Sequence, residues 1–232
     1  MGLLTLDSQE HIRNSMKQEN EDLKQYYNQR AAEYEAIYAK PERQGDLEEA
    51  AQILQEIFRG KTMLEIACGT GYWTQQIAQT ATRIHATDIN ESVLEIARSK
   101  DFPLENVQFS RADLYEIQPE NPVDALFGGF IWSHIKLEEL AHFTDHINSL
   151  IRPGGTVVFM GNRFVEGSNT PIAERDARGN TYQQRRLKDG TSFSVLKNFP
   201  EQKDLELVLA GKAQKIQYIS LQHFWICSYQ TV

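Results

Sequence analysis

The chain has 232 residues, of which 41% are hydrophobic, and this length suffices for one α/β domain with a buried core. Its net charge of −8 argues against a nucleic-acid partner, although basic residues cluster between 175 and 188. No apolar run reaches the roughly 18 residues of a membrane span. Two cysteines, Cys68 and Cys227, give no disulfide framework, so we expect a reducing, cytoplasmic location.

Two helices are predicted before the first strand. From Glu21 to Tyr38, apolar and aromatic side chains recur at three- and four-residue steps on one face. The second helix runs over 46–59, with Asp46 as its N-cap and Gly60 after its end. The first helix is either packed on the core or forms a lid over a ligand. Its aromatic stripe consists of Tyr27, Tyr34 and Tyr38.

The most informative segment joins a buried strand to a glycine turn. An apolar run over 62–67 leads into Gly69 and Gly71, and a helical pattern begins directly after them. Glycine allows a sharp turn and lets a ligand approach without a Cβ in the way. The next strand, 83–88, ends at Asp88, which is placed to bind the two hydroxyls of a ribose. A nucleoside-containing cofactor is therefore expected at the carboxyl ends of these strands.

The glycine pattern also narrows the kind of cofactor. A dinucleotide fingerprint needs a third glycine at the position of Thr74, so an NAD or FAD site is disfavoured. A P-loop is excluded, because no Gly-Lys-Ser/Thr follows the two glycines. Taken alone, the glycines also fit a plain turn, and Asp88 also fits a helix cap.

Five short segments carry more information together than singly. They are Glu65 to Gly71, Asp88, Ala112-Asp113-Leu114, Val123 to His134 and Arg152-Pro153-Gly154-Gly155. In this order they resemble the motifs of the class I S-adenosylmethionine (SAM) dependent methyltransferases. The resemblance implies SAM as cofactor and S-adenosylhomocysteine (SAH) as product. The cofactor-binding residues that it implies are Tyr34, Glu65, Ala67, Gly69, Gly71, Asp88, Ile89, Asp113, Leu114 and Phe130.

Strands and helices alternate through the middle of the chain, which predicts right-handed crossovers and a parallel sheet. The predicted strands there are 62–67, 83–88, 107–110, 123–130 and 156–161, and the helices are 72–80, 91–99 and 137–150. A helical pattern over 201–210 and two apolar stretches, 216–221 and 224–228, close the chain. The expected fold is α/β: a Rossmann-like, doubly wound, mostly parallel seven-stranded sheet with an antiparallel last strand, plus N-terminal lid helices and a cap insertion.

Between residues 162 and 199 the alternation gives way to a polar stretch. Two strand patterns flank Lys188-Asp189-Gly190, which is a hairpin signal. Long connections usually carry function, so we expect a substrate cap; a surface decoration or a dimer contact is the alternative. The chain then divides into an N-terminal helical lid segment, 1–60, and a SAM-binding domain, 61–232, within one structural domain.

The loop after the fourth strand supplies the candidates for chemistry. His134 titrates near neutral pH and can act as a general base, with a helix-capping role as the alternative. Phe130 is expected to wall the cofactor. Since no Cys/His cluster stands at ligand spacing, no metal is expected. The residues expected to contact the substrate are Tyr27, Trp132, Asn162 and Arg163.

The predicted function is methyl transfer from SAM to an O or N nucleophile of a small metabolite, by in-line displacement that rests mainly on proximity and orientation. DNA amino-methyltransferases carry Asn/Asp-Pro-Pro-Tyr/Phe where this chain has Gly128-Gly129-Phe130-Ile131, which argues against nucleic-acid bases. A nicotinamide-dependent oxidoreductase and a non-catalytic SAM-binding partner protein stay open. The expected partner is a small-molecule methyl acceptor, with no nucleic acid and no membrane, and the chain is expected to be a monomer or homodimer.

Overall fold

A computed structural model describes residues 26, 35, 37–102, 106–119, 123–187 and 189–232. The predicted helix over 21–38 falls largely outside them, and so do Tyr27 and Tyr34. Within the described residues, no helix is long and apolar enough to cross a bilayer. Nor does that part of the chain place three His, Cys, Asp or Glu side chains where they could hold a metal ion.

The described residues form ten strands, seven of which build one sheet. In chain order the strands are β1 (Thr62–Ile66), β2 (Arg83–Asp88), β3 (Val107–Arg111), β4 (Val123–Gly129), β5 (Ile151–Asn162), β6 (Glu174–Arg175), β7 (Thr181–Arg186), β8 (Ser192–Leu196), β9 (Ala213–Ser220) and β10 (Phe224–Thr231). The large sheet has the order β3-β2-β1-β4-β5-β10-β9.

The pairing of these strands confirms the predicted fold class. Strands β1 to β5 pair in parallel, whereas β10 runs antiparallel to both β5 and β9. The order runs outward from β1 to β3 on one side and restarts with β4 on the other. The switch point therefore lies between β1 and β4, and in such sheets ligands bind at the carboxyl ends of the strands there.

Helices cover both faces of the sheet and give it two cores. Alternate residues of β1 point to opposite faces, so Met63 joins the core that contains Leu54 and Phe58, while Leu64 joins the core that contains Phe143. The helices are α1 (Gln44–Phe58), α2 (Tyr72–Ile77), α3 (Glu91–Arg98), α4 (Leu140–Ser149) and α5 (Gln202–Leu209), with short 3-10 helices at Pro41–Arg43, Ile131–His134 and Leu137–Glu139.

Helix α1 begins earlier than predicted, and the prediction that Asp46 is its N-cap is wrong. Arg43 holds the N-cap position, without a side-chain capping bond. Asp46 Oδ2 instead accepts a hydrogen bond from the His223 N–H at 2.5 Å and lies 3.2 Å from the Nδ1 of the same residue. The carboxylate therefore ties α1 to the turn between β9 and β10.

The predicted hairpin within 162–199 is confirmed, because β7 and β8 pair antiparallel and β6 adds a short third strand. Asn198 follows β8; its N–H donates to the Ser133 carbonyl at 2.8 Å and its Nδ2 to the Ile135 carbonyl at 3.2 Å. The Leu137 N–H donates to Asn180 Oδ1 at 2.8 Å. These bonds fasten the small sheet to the loop after β4, at the carboxyl edge of the large sheet.

Candidate active site

The loop after β1 adopts left-handed backbone at alternate residues. The φ angle is 51° at Ala67, 57° at Gly69 and 74° at Gly71. A Cβ added to Gly71 would lie 3.1 Å from the Cβ of Ala97, so both space and conformation favour glycine there. Gly71 is also the N-cap of α2. The strand, turn and helix start predicted from the sequence are therefore present.

Asp88 closes β2 and fixes this turn. Its Oδ2 accepts a hydrogen bond from the Gly69 N–H and its Oδ1 one from the Asn90 N–H, both at 2.9 Å. Burial raises the pKa of the Asp88 carboxyl, and the same N–H groups oppose that rise. Each oxygen retains a further lone pair. Asp88 thus shapes the turn and also keeps acceptor capacity for ribose hydroxyls.

Glu65, near the end of β1, is a buried carboxyl with a free oxygen. Within the described part of the chain its Oε2 has no hydrogen-bond partner. Burial raises the pKa of Glu65 to about 8, against the effect of the Thr74 hydroxyl, and the charge of Asp88 adds to the rise. An unpartnered buried carboxyl oxygen is costly. The edge therefore fits a cofactor that carries hydrogen-bond donors.

We expect the Glu65→Gln variant to remove a pH dependence of stability. The pKa of Glu65 is about 8 in the folded chain against an ordinary value of 4.5, so the folded state holds a proton that the unfolded state loses. The free energy of unfolding therefore falls as pH rises from about 5 to about 8. Relative to the unmodified protein, the variant should gain stability over this range. Urea denaturation at both pH values measures the difference, and a constant difference would contradict the assignment.

The turn after β3 lies at the same edge. The Ala112 N–H donates to the Asp88 carbonyl at 3.0 Å, which sets the turn beside the end of β2. Asp113 and Leu114 follow directly in this turn, and Ile89 directly follows Asp88. All three predicted cofactor residues are therefore brought to the edge that Gly69 forms; their contacts with a cofactor stay predictions.

Phe130 follows β4 with a left-handed backbone, φ 63°, which costs a non-glycine residue about 1–3 kcal/mol. Its N–H donates to the Met160 carbonyl at 2.6 Å. The ring is nearly buried, with centroids of Tyr38, Trp73 and Phe224 within 6.5 Å. Strained backbone persists where the surrounding structure holds it. Here this conformation places the Phe130 ring beside the candidate cofactor edge.

The segment before α1 covers the glycine turn. The ring of Tyr38 stacks on that of Tyr72 at 3.8 Å with an interplanar angle of 9°. The Thr70 hydroxyl, within the turn, donates to Glu35 Oε1 at 2.8 Å, and Lys100 pairs with the same carboxylate. The N-terminal segment therefore contacts the candidate cofactor turn directly, which supports the lid hypothesis.

A cavity of about 320 Å³ opens beside Phe130 and Asn162, at the ends of β4 and β5. This volume lies within the range of small-ligand sites. The opposite walls come from the start of α1, the loop before β6, and strand β7. No acidic residue lines the cavity among those that the structure describes. Its cationic lining residues are Lys40, Arg43, Arg185, Arg186 and Lys197.

Two of the predicted substrate residues do not reach this cavity. The prediction that Trp132 walls the substrate is wrong, because its ring is buried against Phe159 and Phe143, at centroid distances of 5.0 and 6.0 Å, in the core on the other face. Arg163 donates from Nη1 to the Leu221 carbonyl at 2.7 Å and is not part of the described lining. Asn162 does line the cavity, and its contact with a substrate stays a prediction.

His134 connects the loop after β4 to β8. Its Nδ1 lies 2.7 Å from the Leu196 carbonyl, and since a carbonyl only accepts, Nδ1 carries the proton. Burial, followed by the charges of Lys197 and Arg185, lowers the pKa of His134 well below its ordinary value. The ring is not part of the described cavity lining. A role as general base stays a hypothesis.

Sequence reasoning missed the cationic lining of the cavity. Arg43 and Lys197 are far apart in the chain and belong to no motif, so only the fold joins them. A signal existed for Arg185 and Arg186 in the basic cluster over 175–188, which was weighed only as a nucleic-acid patch. Because the chain as a whole is acidic, this cluster was a signal of locally concentrated positive charge.

Comparison with solved structures agrees with this geometry. The structure described as the DhpI-SAH complex matches with a TM-score of 0.75 and 27% identity, over 91% of this chain and 96% of that one. The structure described as the DhpI-SAM-HEP complex matches with a TM-score of 0.74 and 26% identity, over 91% of this chain and 97% of that one. The fold is that of the class I SAM-dependent methyltransferases, and the expected cofactor agrees with what these two complexes hold.

Sequence comparison leads to the same class. Residues 63–155 match the family described as methyltransferase domain. Phosphoethanolamine N-methyltransferase 1 of Zea mays is 25% identical over 167 residues, 65% of this chain and 33% of that protein. Demethylmenaquinone methyltransferase of Staphylococcus aureus (strain MRSA252) is 29% identical over 104 residues, which are 43% of this chain and 42% of that protein. The chain thus spans about a third to under half of these relatives. Fold and family match together make this chain similar to the class I SAM-dependent methyltransferases.

Proposed function

We propose that the protein transfers a methyl group from SAM to an oxygen or nitrogen nucleophile of a small metabolite. The observation that supports this most is the position of the cavity, which shares Phe130 with the candidate cofactor edge. An acceptor in a cavity of about 320 Å³ would therefore reach the edge formed by Gly69 and Asp88. A site with two adjoining compartments is what a two-substrate transfer requires.

The chain's own residues would hold the cofactor through distinct groups. Asp88 offers carboxylate oxygens to the ribose, and Gly69 and Gly71 let the ligand approach the backbone. Glu65 offers its unpartnered buried oxygen to a donor. When bound, SAM supplies a methyl group that its sulfonium already activates.

The rest of the task is to orient the nucleophile and exclude water, which can supply much of the rate enhancement. The stacked rings of Tyr38 and Tyr72 and the nearly buried Phe130 form an apolar cover between solvent and the glycine turn. An amine or an acidic hydroxyl needs no catalytic side chain for such a transfer. Proximity therefore suffices as the main source of catalysis.

The His134→Asn variant separates the two roles of His134. Asparagine keeps a donor for the Leu196 carbonyl but cannot take a proton. Because His134 is tied to that carbonyl and is outside the described lining, we expect turnover to stay within about threefold of the unmodified protein, with SAH affinity unchanged. A fall in kcat of about 100-fold or more at unchanged SAH affinity would instead establish His134 as the base.

The acceptor can be sought from the names of the relatives. The Zea mays relative acts, by its name, on phosphoethanolamine, and the Staphylococcus aureus relative on demethylmenaquinone. The polar cavity favours starting with small phosphorylated amines rather than with a quinone. We expect SAH to form faster with such an acceptor than without it, as measured by chromatography.

The same assay separates the alternatives. SAH binding without turnover for any acceptor of a metabolite extract would favour a non-catalytic SAM-binding partner. A change in absorbance with a nicotinamide cofactor would favour an oxidoreductase. The same proposal includes a small-molecule acceptor as the sole partner, a monomer or homodimer, and a cytoplasmic location. It also includes the role of residues 1–60 as a lid and of residues 162–199 as a substrate cap.

A further inference from the structure

The cavity beside Phe130 concentrates positive charge although the whole chain carries a net charge of −8. Five cationic residues line it, and no acidic residue does so among those described. A local excess of positive charge around a concave site favours an anionic ligand.

Arg43 stands at the N-terminal end of α1 with its side chain nearly buried. Its Nε and Nη2 donate to the Ser168 hydroxyl at 3.1 and 2.9 Å, and Nη2 also donates to the Ser168 carbonyl at 2.9 Å. Within the described residues its Nη1 donates to no acceptor. Ser168 thus fixes the guanidinium and leaves Nη1 available to donate to a ligand.

Lys197 is the most deeply buried cation of the cavity, only 4% exposed. Its Nζ donates to the Ser133 hydroxyl at 2.8 Å and lies 5.9 Å from the ring centroid of Phe130. No carboxylate of the described residues lies within ion-pair distance of it, and its pKa is lowered by burial and then by Arg185 and Arg43. A buried ammonium without a counterion is costly. Binding of an anion would offset that cost.

The cations approach the cavity from separate elements. Arg43 comes from the 3-10 helix that precedes α1, Arg185 from β7 and Lys197 from the segment after β8. Arg185 lies over the ring of Tyr26 at 5.5 Å and donates to Gln183 Oε1 at 2.9 Å, which holds it in the cavity wall. A tetrahedral oxyanion presents oxygens in several directions and suits such a ring of donors better than a planar carboxylate does.

We propose that this cavity is the acceptor site and that it selects acceptors bearing a phosphorus oxyanion, as a phosphate monoester or a phosphonate. The inference rests on the proposed methyl transfer. Lys197 and Arg43 bind the oxyanion, and the contact of Lys197 with the Phe130 ring keeps the acceptor next to the cofactor edge. We therefore expect a short acceptor, because Phe130 belongs both to this cavity and to the candidate cofactor edge.

The test is calorimetric titration of the full chain, saturated with SAH, with methyl phosphate, methylphosphonate and malonate. We expect one or both phosphorus anions to bind at least about tenfold more tightly than malonate. The comparison of methyl phosphate with methylphosphonate shows whether a phosphate monoester or a phosphonate is preferred. The Lys197→Met variant should lose about tenfold or more of that affinity and keep its affinity for SAH. The matched control is Lys203→Met, which removes an exposed lysine paired with Glu201 and should change neither affinity.

The outcomes separate this inference from the proposed function. If SAH binds but malonate binds as well as the phosphorus anions, or Lys197→Met binds them as the unmodified protein does, the inference is wrong and the proposed function stands. If SAH itself does not bind, the proposed function fails. If the Lys197→Met variant does not fold, the melting temperature of the unmodified protein is compared in methylphosphonate and in chloride of equal ionic strength. The proposal requires a higher melting temperature in methylphosphonate. Equal melting temperatures in the two anions would overturn it.

Discussion

Replacing Asp88 with alanine should weaken SAH binding by more than about tenfold. The ribose would lose its acceptor. In addition, the N–H groups of Gly69 and Asn90 would lose the carboxylate that each contacts at 2.9 Å, so the glycine turn would lose its anchor. Both effects act on cofactor binding, and calorimetric titration of the two proteins with SAH measures their sum.

Asp145→Ala is the matched control for this change. Asp145 lies on α4, where its side chain is 62% exposed and pairs with Lys212 at 2.7 Å. An exposed ion pair contributes little to stability, so the control should bind SAH as the unmodified protein does. Unchanged affinity in a folded Asp88→Ala protein would show that the ribose assignment is wrong.

The Gly161→Ala substitution should lower the free energy of unfolding by about 1–3 kcal/mol or prevent folding. A Cβ at Gly161 would lie 2.5 to 2.7 Å from three atoms of the Trp225 indole. Trp225 is fully buried and pairs with Gly161 across β5 and β10, so neither strand can yield without breaking the ladder. Thermal unfolding followed by circular dichroism gives the change.

Gly45→Ala is the control for that experiment. Gly45 lies inside α1, and a Cβ there would meet no atom within 4 Å. Alanine in an open helical position should stabilise by about 0.5–1 kcal/mol. If Gly161→Ala melted at the temperature of the unmodified protein, the packing of Trp225 over β5 would be wrong.

The parallel part of the fold could be predicted because its signals are local. Strand β2 was expected over 83–88 and spans Arg83–Asp88, since an apolar run and a terminal acid define both ends. Strand β5 begins at Ile151 rather than at 156, because Ile151 pairs with Val123 ahead of the turn at Gly154, whose φ is 74°. Long-range pairing of this kind leaves no mark in the local sequence.

The assignment of Trp132 failed for a reason of geometry. Phe130 was expected to wall the cofactor and Trp132 the substrate, both in the loop after β4. The left-handed backbone of Phe130 and the 3-10 helix Ile131–His134 turn the chain between the two rings. Phe130 consequently joins one core and Trp132 the other.

The cavity beside Phe130 could not be predicted from sequence patterns. Its cations come from the segment just before α1, from β7 and from the segment after β8, which meet only when the small sheet folds over the carboxyl edge. The cofactor edge, by contrast, is built from the loops after β1, β2 and β3, each with its own motif. Local motifs therefore predicted the candidate cofactor edge, while tertiary structure was needed to reveal the cavity.

Calorimetric titration of the unmodified protein with SAH, with NAD as the control, decides which cofactor the chain binds. We expect SAH to bind and NAD not to bind, because the glycine turn lacks the third glycine and because Asp88 and Glu65 are placed for a nucleoside with a donor-bearing tail. Binding of NAD alone, or of neither ligand, would contradict this expectation.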